Sequence, residues 1–333
     1  MGKQCRCHNK VSQQAIKLMS IPQQYRIAVL LPCYNEAACI ANVIAAFKNA
    51  LPTATIYVYD NNSTDSTADE ALRAGAIVRH ETYQGKGNVV RRMFADIDAD
   101  IYVMADGDET YDPAAAPELI RKLIDENLDM VVGSRVETDA KAYRSGHKFG
   151  NRLLTGLVKN LFGYAFEDIL SGYRVFSRRF VKSFPIHSHG FEIETEMSVH
   201  ALQLRLPVAE VPTKYGARPE DSQSKLRTYR DGFRIFFTII SLLTHERPRL
   251  FFGVIALLLT LLSFGLAIPI FHDFLITGEV RKFPTAFLCV GLVLLAAQVL
   301  AFGFLVHSVR RGRVEAKRLA YLAQMPGNGR LGQ

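Results

Sequence analysis

Two periodicities alternate along residues 25–135 of this chain. Short apolar runs, typical of buried strands, are separated by segments in which apolar residues recur every three or four positions, as in amphipathic helices. The predicted strands are 27–31, 55–59, 76–78, 101–105 and 130–132. The predicted helices are 36–49, 68–74, 88–96 and 117–126. Strands alternating with helices predict an α/β fold with a mostly parallel sheet covered on both faces.

Two later stretches, 251–271 and 285–308, contain no charged residue. A helix needs about 20 apolar residues to cross the hydrocarbon core of a bilayer, so both stretches qualify as spans. Only 272–284 separate them, which predicts a two-helix transmembrane hairpin. The alternative is a pair of helices buried in a soluble core. Pro269 lies near the end of the first stretch, where a break in the helix is tolerated.

Basic residues flank the predicted hairpin. Arg247 and Arg249 precede it, and the loop sets two basic residues against two acidic ones. The basic residues that follow it are Arg310, Arg311, Arg313, Lys317 and Arg318. Since cytoplasmic flanks are enriched in Lys and Arg, we expect a multi-pass inner-membrane protein with both termini and the N-terminal domain in the cytoplasm. Residues 1–24 are polar and do not resemble a secretory signal.

The segment just before the hairpin carries a basic stripe beside an apolar one. Arg227, Arg230 and Arg234 recur at helical spacing. The apolar positions are Phe233, Phe236, Phe237, Ile240 and Leu243. This pattern predicts a helix lying in the membrane interface, the alternative being a soluble amphipathic helix. The predicted organisation is a polar tail (1–24), an α/β domain (25–226), an interfacial helix (227–249), a hairpin (250–309) and a basic tail (310–333).

The composition and charge of the chain limit the classes of molecule that it is expected to bind. The chain has 333 residues, is 49% hydrophobic and carries a net charge of +8. This charge suits an anionic membrane surface and phosphorylated substrates, and no nucleic-acid-binding module is recognisable. The five cysteines are compatible with a reducing compartment. Cys5-x-Cys7-His8 lacks the second ligand pair of a metal site, so we expect a tail there.

Polar residues follow each of the first four predicted strands. These loops contain Pro32, Tyr34 and Glu36, then Asp60 to Asp65, then Gly85 to Asn88, and last Asp106-Gly107-Asp108. Each loop alone is compatible with a capping or turn role. Because ligands of open α/β sheets bind at the carboxyl ends of the strands, the four loops together predict one nucleotide site. Two neighbouring carboxylates, Asp106 and Asp108, suit Mg²⁺ or Mn²⁺ held together with substrate phosphates.

These motifs resemble family 2 glycosyltransferases of the GT-A fold, in the branch of dolichol-phosphate mannose synthase and the bacterial polyprenyl-phosphate sugar transferases. The resemblance covers about residues 26–245 and the hairpin, and includes 133–135 and 168–174. It implies that Pro32, Tyr34 and Glu36 line the nucleoside pocket and that Asp60 binds the base. Lys86 would lie near the nucleotide, and Asp106 and Asp108 would hold the cation. Arg135, Arg218 and Lys225 would bind the acceptor phosphate.

The segment 190–197 matches a helix near the sugar pocket of that branch, with Glu192, Glu194 and Glu196 as candidates for sugar contact. There are also departures. Asn61 stands where many relatives have a second Asp, and Thr110 where the mannose synthases have Gln. The stretch 108–111 is closer to enzymes that make polyprenyl-phosphate N-acetylglucosamine or glucose. Arg174 is either part of the site or structural, paired with Asp168.

The implied reaction is metal-dependent, inverting transfer of one sugar from a nucleotide-sugar, UDP-N-acetylglucosamine or UDP-glucose, to undecaprenyl phosphate. Its product would donate the sugar for cell-envelope glycan modification, and two hairpins would allow a homo-oligomer. One alternative is a processive polysaccharide synthase, disfavoured because the chain has no tryptophan and those enzymes carry a Gln-x-x-Arg-Trp motif. The other is a non-catalytic partner of a flippase, disfavoured by the intact acidic and basic sets.

Overall fold

A computed structural model of the chain describes residues 25–137, 156, 166–188, 190, 192–216, 244 and 246–324. The predicted tail 1–24, the predicted acceptor residues Arg218 and Lys225, and most of the predicted interfacial helix lie outside the described residues. The chain forms two compact units. One contains the sheet, and the other contains most of two long C-terminal helices.

The sheet unit alternates strands and helices from its first strand onward. Its strands are β1 (Ile27–Cys33), β2 (Thr55–Asp60), β3 (Ile77–His80), β4 (Ile101–Met104), β5 (Met130–Glu137), β6 (Arg174–Ser177) and β7 (Val208–Tyr215). Its helices are α1 (Ile40–Ala50), α2 (Thr67–Arg73), α3 (Lys86–Asp96), α4 (Ala116–Asp125), α5 (Arg178–Ser183) and α6 (Ile193–Leu204). The predicted strands match β1 to β5, with β5 continuing beyond its predicted end.

The strand order is β3-β2-β1-β4-β6-β5-β7. Strands β1 to β4 are neighbours and run parallel, with Leu30 opposite Tyr57 on one side and Met104 on the other. Strand β6 runs antiparallel to β4 and to β5, while β5 and β7 are parallel. The predicted mostly parallel sheet is therefore confirmed. The carboxyl ends of β1 to β4 lie along one edge, where their four loops begin.

The core explains why these segments fold as they do. Residues 28–31 of β1 and all of β4 are buried, as expected for central strands covered on both faces. Helix α1 buries Ile40, Val43, Ile44 and Phe47, the positions at helical spacing. It begins at Ile40 and not at the predicted 36. Residues 37–39 form a turn instead, in which the Cys39 and Ile40 N–H groups both donate to the Glu36 carbonyl at 3.0 Å.

The second unit contains two long apolar helices, α7 (Pro248–Thr277) and α8 (Phe283–Leu322). Only 11% and 17% of their most apolar windows is buried within the protein, whereas the core helices of a soluble protein are mostly buried. Both helices are long and apolar enough to span a membrane. They contact each other where Ser263 Oγ donates to the Cys289 carbonyl at 2.9 Å and where Phe252 packs against Phe302.

Candidate active site

The loops after β1 and β2 are joined by hydrogen bonds. The Asn35 amide N–H donates to Ser63 Oγ at 2.9 Å, and the Thr64 N–H donates to Asn35 Oδ1 at 2.8 Å. One residue later, the Glu36 N–H donates to Thr67 Oγ1 at 2.8 Å. These reciprocal bonds hold the first two predicted loops in one arrangement, with the Glu36 side chain buried and that of Tyr34 half-buried.

The amide of Asn61 connects the second loop to the third. Its Nδ2 donates to the carbonyls of Glu81 and Tyr83 at 2.9 Å each, and its Oδ1 accepts from the Gly85 N–H at 2.7 Å. Asn61 is only 3% exposed, so its partners do not come from solvent. A carboxylate accepts but does not donate, which explains why an amide replaces the expected Asp. The departure at this position is structural.

Asp60 ends β2 with its carboxylate buried. Its oxygens accept from the Ser63 N–H at 3.3 Å and lie 3.1 Å from Nδ1 of His80, the last residue of β3. The His80 side chain is half exposed, so the buried Asp60 carboxylate lies next to a group that solvent reaches. This position is compatible with the predicted contact between Asp60 and a nucleotide base, which remains a prediction.

Lys86 connects the third loop to the fourth and brings in a helix from much later in the chain. Its Nζ lies 2.5 Å from Asp106 Oδ1 and 2.5 Å from Glu194 Oε1 on α6. The Lys86 and Glu194 side chains are 8% and 5% exposed. Burial opposes the charge on Lys86, but the two carboxylates outweigh it and raise the pKa of its ammonium above the ordinary value. Lys86 therefore stays protonated between two anions.

Of the three glutamates near α6, the structure brings one to this cluster. Glu194 binds Lys86, whereas Glu196 accepts from the His187 and Ser188 backbone N–H groups at 3.0 and 2.9 Å. Glu192 precedes the helix at its N-cap position. The family resemblance implied that all three lie near a sugar pocket but did not indicate which of them contacts the sugar. A helix presents residues two apart on different sides, so only one of them points to Lys86.

Asp106 and Asp108 occupy the turn after β4, and their environments differ. Asp106 is 30% exposed and pairs with Lys86. Asp108 is 2% exposed, and its Oδ1 accepts from the Thr110 hydroxyl at 2.6 Å. The Thr110 side chain, which stands where the mannose synthases have Gln, thus orients the second carboxylate.

The two carboxylates of this turn can hold a divalent cation, but only with further ligands from the substrate. Among the described residues, no group of three or more His, Cys, Asp or Glu side chains gathers as a metal site. Two carboxylates are nonetheless enough for Mg²⁺ or Mn²⁺ when substrate phosphates complete the shell. Asp106 and Asp108 fit that arrangement, since the partly exposed Asp106 is accessible to a phosphate-bound ion.

Two glycines allow the close packing of this turn. A Cβ at Gly107 would lie 2.6 Å from Cys33 Sγ, directly beneath the turn. A Cβ at Gly172 would lie 3.0 Å from Asp106 Oδ2 and 3.1 Å from Lys86 Nζ. The Gly172 N–H also donates to the Tyr111 hydroxyl at 2.8 Å. The segment before β6 therefore forms a wall of the Asp106–Lys86 cluster, a contact that the sequence pattern did not predict.

The predicted acceptor residue Arg135 lies near the carboxyl end of β5. Its Nε and Nη2 donate to the two carboxylate oxygens of Asp168 at 2.6 and 2.8 Å. Burial opposes ionisation of Asp168, but the hydrogen bonds and charge of Arg135 outweigh it and lower the pKa of this carboxyl. The bidentate pair fixes the guanidinium. The acceptor role of Arg135 remains a prediction.

Arg174 is structural, but not through the predicted partner. The guanidinium is completely buried and donates to the carbonyls of Ser171 and Ile169 and to Ser198 Oγ. Asp168 binds Arg135 instead, so the predicted pairing of Arg174 with Asp168 is wrong. Burial lowers the pKa of Arg174 to about 10. Its hydrogen bonds join β6 to α6, the helix that carries Glu194.

The structure thus brings together the predicted residues of all four loops at one edge of the sheet. Bonds run from the first loop to the second, from the second to the third, and from Lys86 to Asp106. The site also includes residues that sequence reasoning missed as members, namely Asp168, Gly172 and Tyr111. Asp168 and Gly172 belong to the motif 168–174, whose spatial role depends on the antiparallel strand β6, and Tyr111 belongs to the stretch 108–111.

Residues 28–184 match the model of the family "Glycosyl transferase family 2". Protein RfbJ of Shigella flexneri is 61% identical over 37% of this chain and 97% of its own length. Glycosyltransferase AglJ of Haloferax volcanii is 33% identical over 89% of this chain and 99% of its own length. A UDP-N-acetylglucosamine–dolichyl-phosphate N-acetylglucosaminyltransferase of Methanococcus voltae is 27% identical over 65% of this chain and 95% of its own.

Among solved structures, glucosyl-3-phosphoglycerate synthase from Mycobacterium tuberculosis is similar, with a TM-score of 0.53 and 25% identity. The similarity covers 67% of this chain and 80% of that one, whose structure contains Mn²⁺, UDP and glucosyl-3-phosphoglycerate. The fold is thus of the GT-A type, followed by two helices long enough to cross a membrane. With the family match and the nearly full-length similarity to AglJ, the chain belongs to glycosyltransferase family 2 and is an enzyme of that family.

Proposed function

We propose that this enzyme transfers one sugar from UDP-N-acetylglucosamine or UDP-glucose to undecaprenyl phosphate, with inversion at the anomeric carbon. The observation that carries the proposal is the cluster of Lys86, Asp106 and Asp108 at the edge where four loops are joined. It combines a buried cation with two carboxylates, the set needed to bind a diphosphate together with a metal ion. The dolichyl-phosphate transferase among the relatives supports a lipid phosphate as acceptor.

The reaction needs little proton transfer. A phosphate monoester has a second pKa near 6, so most of the acceptor is a dianion at neutral pH. One of its oxygens forms a bond to the anomeric carbon while the bond from that carbon to the β-phosphate oxygen breaks. The electron pair leaves with UDP. Attack from the opposite face inverts the configuration, and no residue has to act as a strong base.

Different residues of the four loops bind different parts of the nucleotide-sugar donor. Pro32, Tyr34 and Glu36 line the nucleoside pocket, and Asp60 binds the base. Lys86 lies beside the diphosphate. Asp106 and Asp108 hold Mg²⁺ or Mn²⁺, which when bound neutralises charge on the departing diphosphate.

The acceptor is held by basic residues. Arg135, Arg218 and Lys225 are proposed to bind its phosphate, and Asp168 keeps the guanidinium of Arg135 in one orientation. Holding two anions close together is the principal electrostatic task of the reaction, because both substrates carry negative charge where they meet. Arg is suited to this because its planar fork matches phosphate oxygens.

The enzyme is proposed to lie in the inner membrane with its α/β unit and both termini in the cytoplasm. The exposed apolar surfaces of α7 and α8 support this placement. In the loop between them, Arg281 pairs with Glu279 at 3.7 Å, and Lys282 pairs at 3.0 Å with Asp273 near the end of α7. The positive charge of this loop is balanced, whereas both flanks are basic, as the positive-inside rule requires. Two hairpins are proposed to associate as a homo-oligomer, and the lipid-linked sugar is proposed to serve envelope glycan modification.

The test is sugar transfer by the purified full-length protein in detergent, with undecaprenyl phosphate, Mg²⁺ or Mn²⁺, and a panel of labelled UDP- and GDP-sugars. Asp108→Asn is the variant. Asp69→Asn is its matched control, because Asp69 is an exposed carboxylate in the first turn of α2 and takes part in none of the site contacts described above. We expect one lipid-linked product from one UDP-sugar, lost with EDTA and in Asp108→Asn but retained in Asp69→Asn.

A product other than a single lipid-linked sugar would indicate a different function. A polymer in place of a single lipid-linked sugar would indicate a processive synthase. Nucleotide-sugar binding without any lipid product would refute the lipid acceptor. The retained activity of Asp69→Asn separates loss of the metal site from a general effect of removing negative charge.

A further inference from the structure

The helical unit contains a basic cleft that the proposed reaction does not use. It lies where α7 begins and where α8 leaves its apolar stretch, and its volume is about 360 Å³. Its lining includes Glu246, Arg247, Arg249 and Arg310, together with apolar Leu250. A volume of this size is in the range of small-ligand sites. Three arginines against one glutamate give the cleft a positive field.

One acidic residue anchors the cleft. Glu246 is buried, and its Oε2 accepts from Arg310 Nη2 at 2.9 Å. This ion pair holds the start of α7 to the end of the apolar part of α8.

One N–H donor of the Arg310 guanidinium forms no hydrogen bond with the described residues. Its Nε atom is buried and has no hydrogen-bond partner among the residues that the structure describes. Buried N–H donors are normally paired, so this one calls for an acceptor in the cleft. An anionic oxygen is the acceptor that a guanidinium binds best.

The wall of the cleft changes from polar to apolar. The Arg249 guanidinium lies 5.5 Å from the centre of the Phe304 ring, which keeps it against α8. Leu250 and Phe304 are 56% and 54% exposed, on the surfaces that continue into the apolar stretches. A ligand with an anionic head and a hydrocarbon tail would contact both kinds of surface at once.

We propose that this cleft binds the phosphate headgroup of an anionic bilayer phospholipid, with its acyl chains along α7 and α8. The inference rests on the membrane placement proposed above and not on the sugar-transfer reaction. Arg249 supplies attraction for the phosphodiester, and Arg310 Nε donates to one of its oxygens. A lipid is favoured over a free anion because the apolar wall adjoins the arginines directly.

The experiment is a native mass spectrometry titration of the full-length protein in detergent with phosphatidylglycerol, and separately with phosphatidylcholine. Arg249→Gln removes one charge. Arg310→Lys keeps a charge opposite Glu246 but removes the planar Nε donor, so the fold is preserved. Arg313→Gln is the matched control, an exposed arginine on the same helix but outside the cleft.

We expect phosphatidylglycerol to bind more tightly than phosphatidylcholine, and Arg249→Gln and Arg310→Lys to weaken it about fivefold each, the effect of one basic contact near a membrane surface. Arg313→Gln should bind like the unaltered protein. Equal affinity for the two lipids, or equal weakening in Arg313→Gln, would overturn the proposal.

Two further arms identify the source of the phosphate. Displacement of phosphatidylglycerol by inorganic phosphate at similar concentration would show an anion site and not a lipid site. Loss of undecaprenyl phosphate binding in Arg249→Gln, with phosphatidylglycerol binding unchanged, would assign the cleft to the acceptor and overturn the proposal. Sugar transfer, measured on the same preparations, reports separately on the proposed function, because lipid retention needs no turnover.

Discussion

The ammonium of Lys86 and the carboxylate of Glu194 are 2.5 Å apart, although 108 positions separate the two residues in the chain. Asp106 lies at the same distance from that ammonium. A buried cation thus lies between one carboxylate that is nearly inaccessible and one that is open to ligands. Removing Lys86 leaves two carboxylates without a cation, one of them buried in a region of low dielectric, which makes the cluster a sensitive test of the site.

Lys86→Met should lower the free energy of unfolding by about 3 kcal/mol, the usual consequence of leaving a buried charge unpaired. The double variant Lys86→Met/Glu194→Leu should recover part of that stability, because it removes the uncompensated Glu194 carboxylate, but it should not recover sugar transfer. Chemical denaturation in detergent, followed by circular dichroism, measures the first effect. Equal stability of the single and double variants would contradict the coupling.

Gly172→Ala should reduce transfer at least tenfold while leaving the melting temperature nearly unchanged. Its Cβ would lie 3.0 Å from Asp106 Oδ2 and 3.1 Å from Lys86 Nζ, so these two groups have to shift by a few tenths of an ångström. A displacement of about 1 Å at reacting groups costs on the order of 100-fold in rate. Gly312→Ala is the control, because a Cβ there meets nothing within 4 Å. Full activity in Gly172→Ala would show that the position of Asp106 is unimportant.

Asn61→Asp should destabilise the protein by about 1–3 kcal/mol, because two backbone carbonyls lose their buried donor. Asn62→Asp provides the comparison, since Asn62 also donates to a carbonyl, that of Thr82, but in an exposed position where water substitutes. The difference between the two variants in urea unfolding isolates the contribution of burial. A similar small loss in both would argue against the joining role assigned to Asn61.

The pair Arg135–Asp168 should contribute stability that depends on pH. The folded-state pKa of Asp168 is lowered from its ordinary 3.8, so its contribution is complete above that value. It is lost as the pH falls through the lower folded-state pKa. The stability difference between the protein and Asp168→Asn should therefore be constant near neutrality and shrink below pH 3.8. A difference that grows with acid would contradict this sign.

Cysteine accessibility in intact cells tests the proposed topology. Glu279→Cys, between the helices, should react with a membrane-impermeant maleimide added outside the inner membrane. Arg313→Cys should react only after the membrane is opened, because the basic flank stays in the cytoplasm. The native Cys289 is buried and should contribute little background. Labelling of Arg313→Cys in intact cells would reverse the orientation.

Local pattern was enough to predict strands β1 to β5 and helices α1 to α4 of the α/β unit, whereas β6, β7 and α5 were not predicted. Apolar runs at 27–31 and 101–105 are long enough and flanked closely enough by polar turns to indicate buried strands. The four acidic and polar loops could be assigned to one edge because parallel neighbouring strands end on the same side. The charge-free stretches predicted α7 and α8 by length alone, although not that α8 continues to Leu322.

The pairing of individual side chains was harder to predict from the sequence. Pairing of Arg174 with Asp168 was one of the two alternatives for Arg174, yet the antiparallel placement of β6 between β4 and β5 directs Arg174 inward and leaves Asp168 beside Arg135. The order of these strands follows from long-range packing, and no local periodicity reports it. Thr110 and Asn61 read as departures from a motif, and their hydrogen bonds give them structural roles.

By itself, the sequence determined the alternation of strands and helices, the loops that carry the donor-binding residues, and the apolar helices, because each depends on residues close together in the chain. Only the tertiary structure decided that Glu194, and not Glu192 or Glu196, meets Lys86, and that Gly172 closes the side of Asp106. Those contacts depend on where α6 and β6 pack against the sheet. Such packing minimises buried unpaired charge over the whole fold, which no short segment encodes.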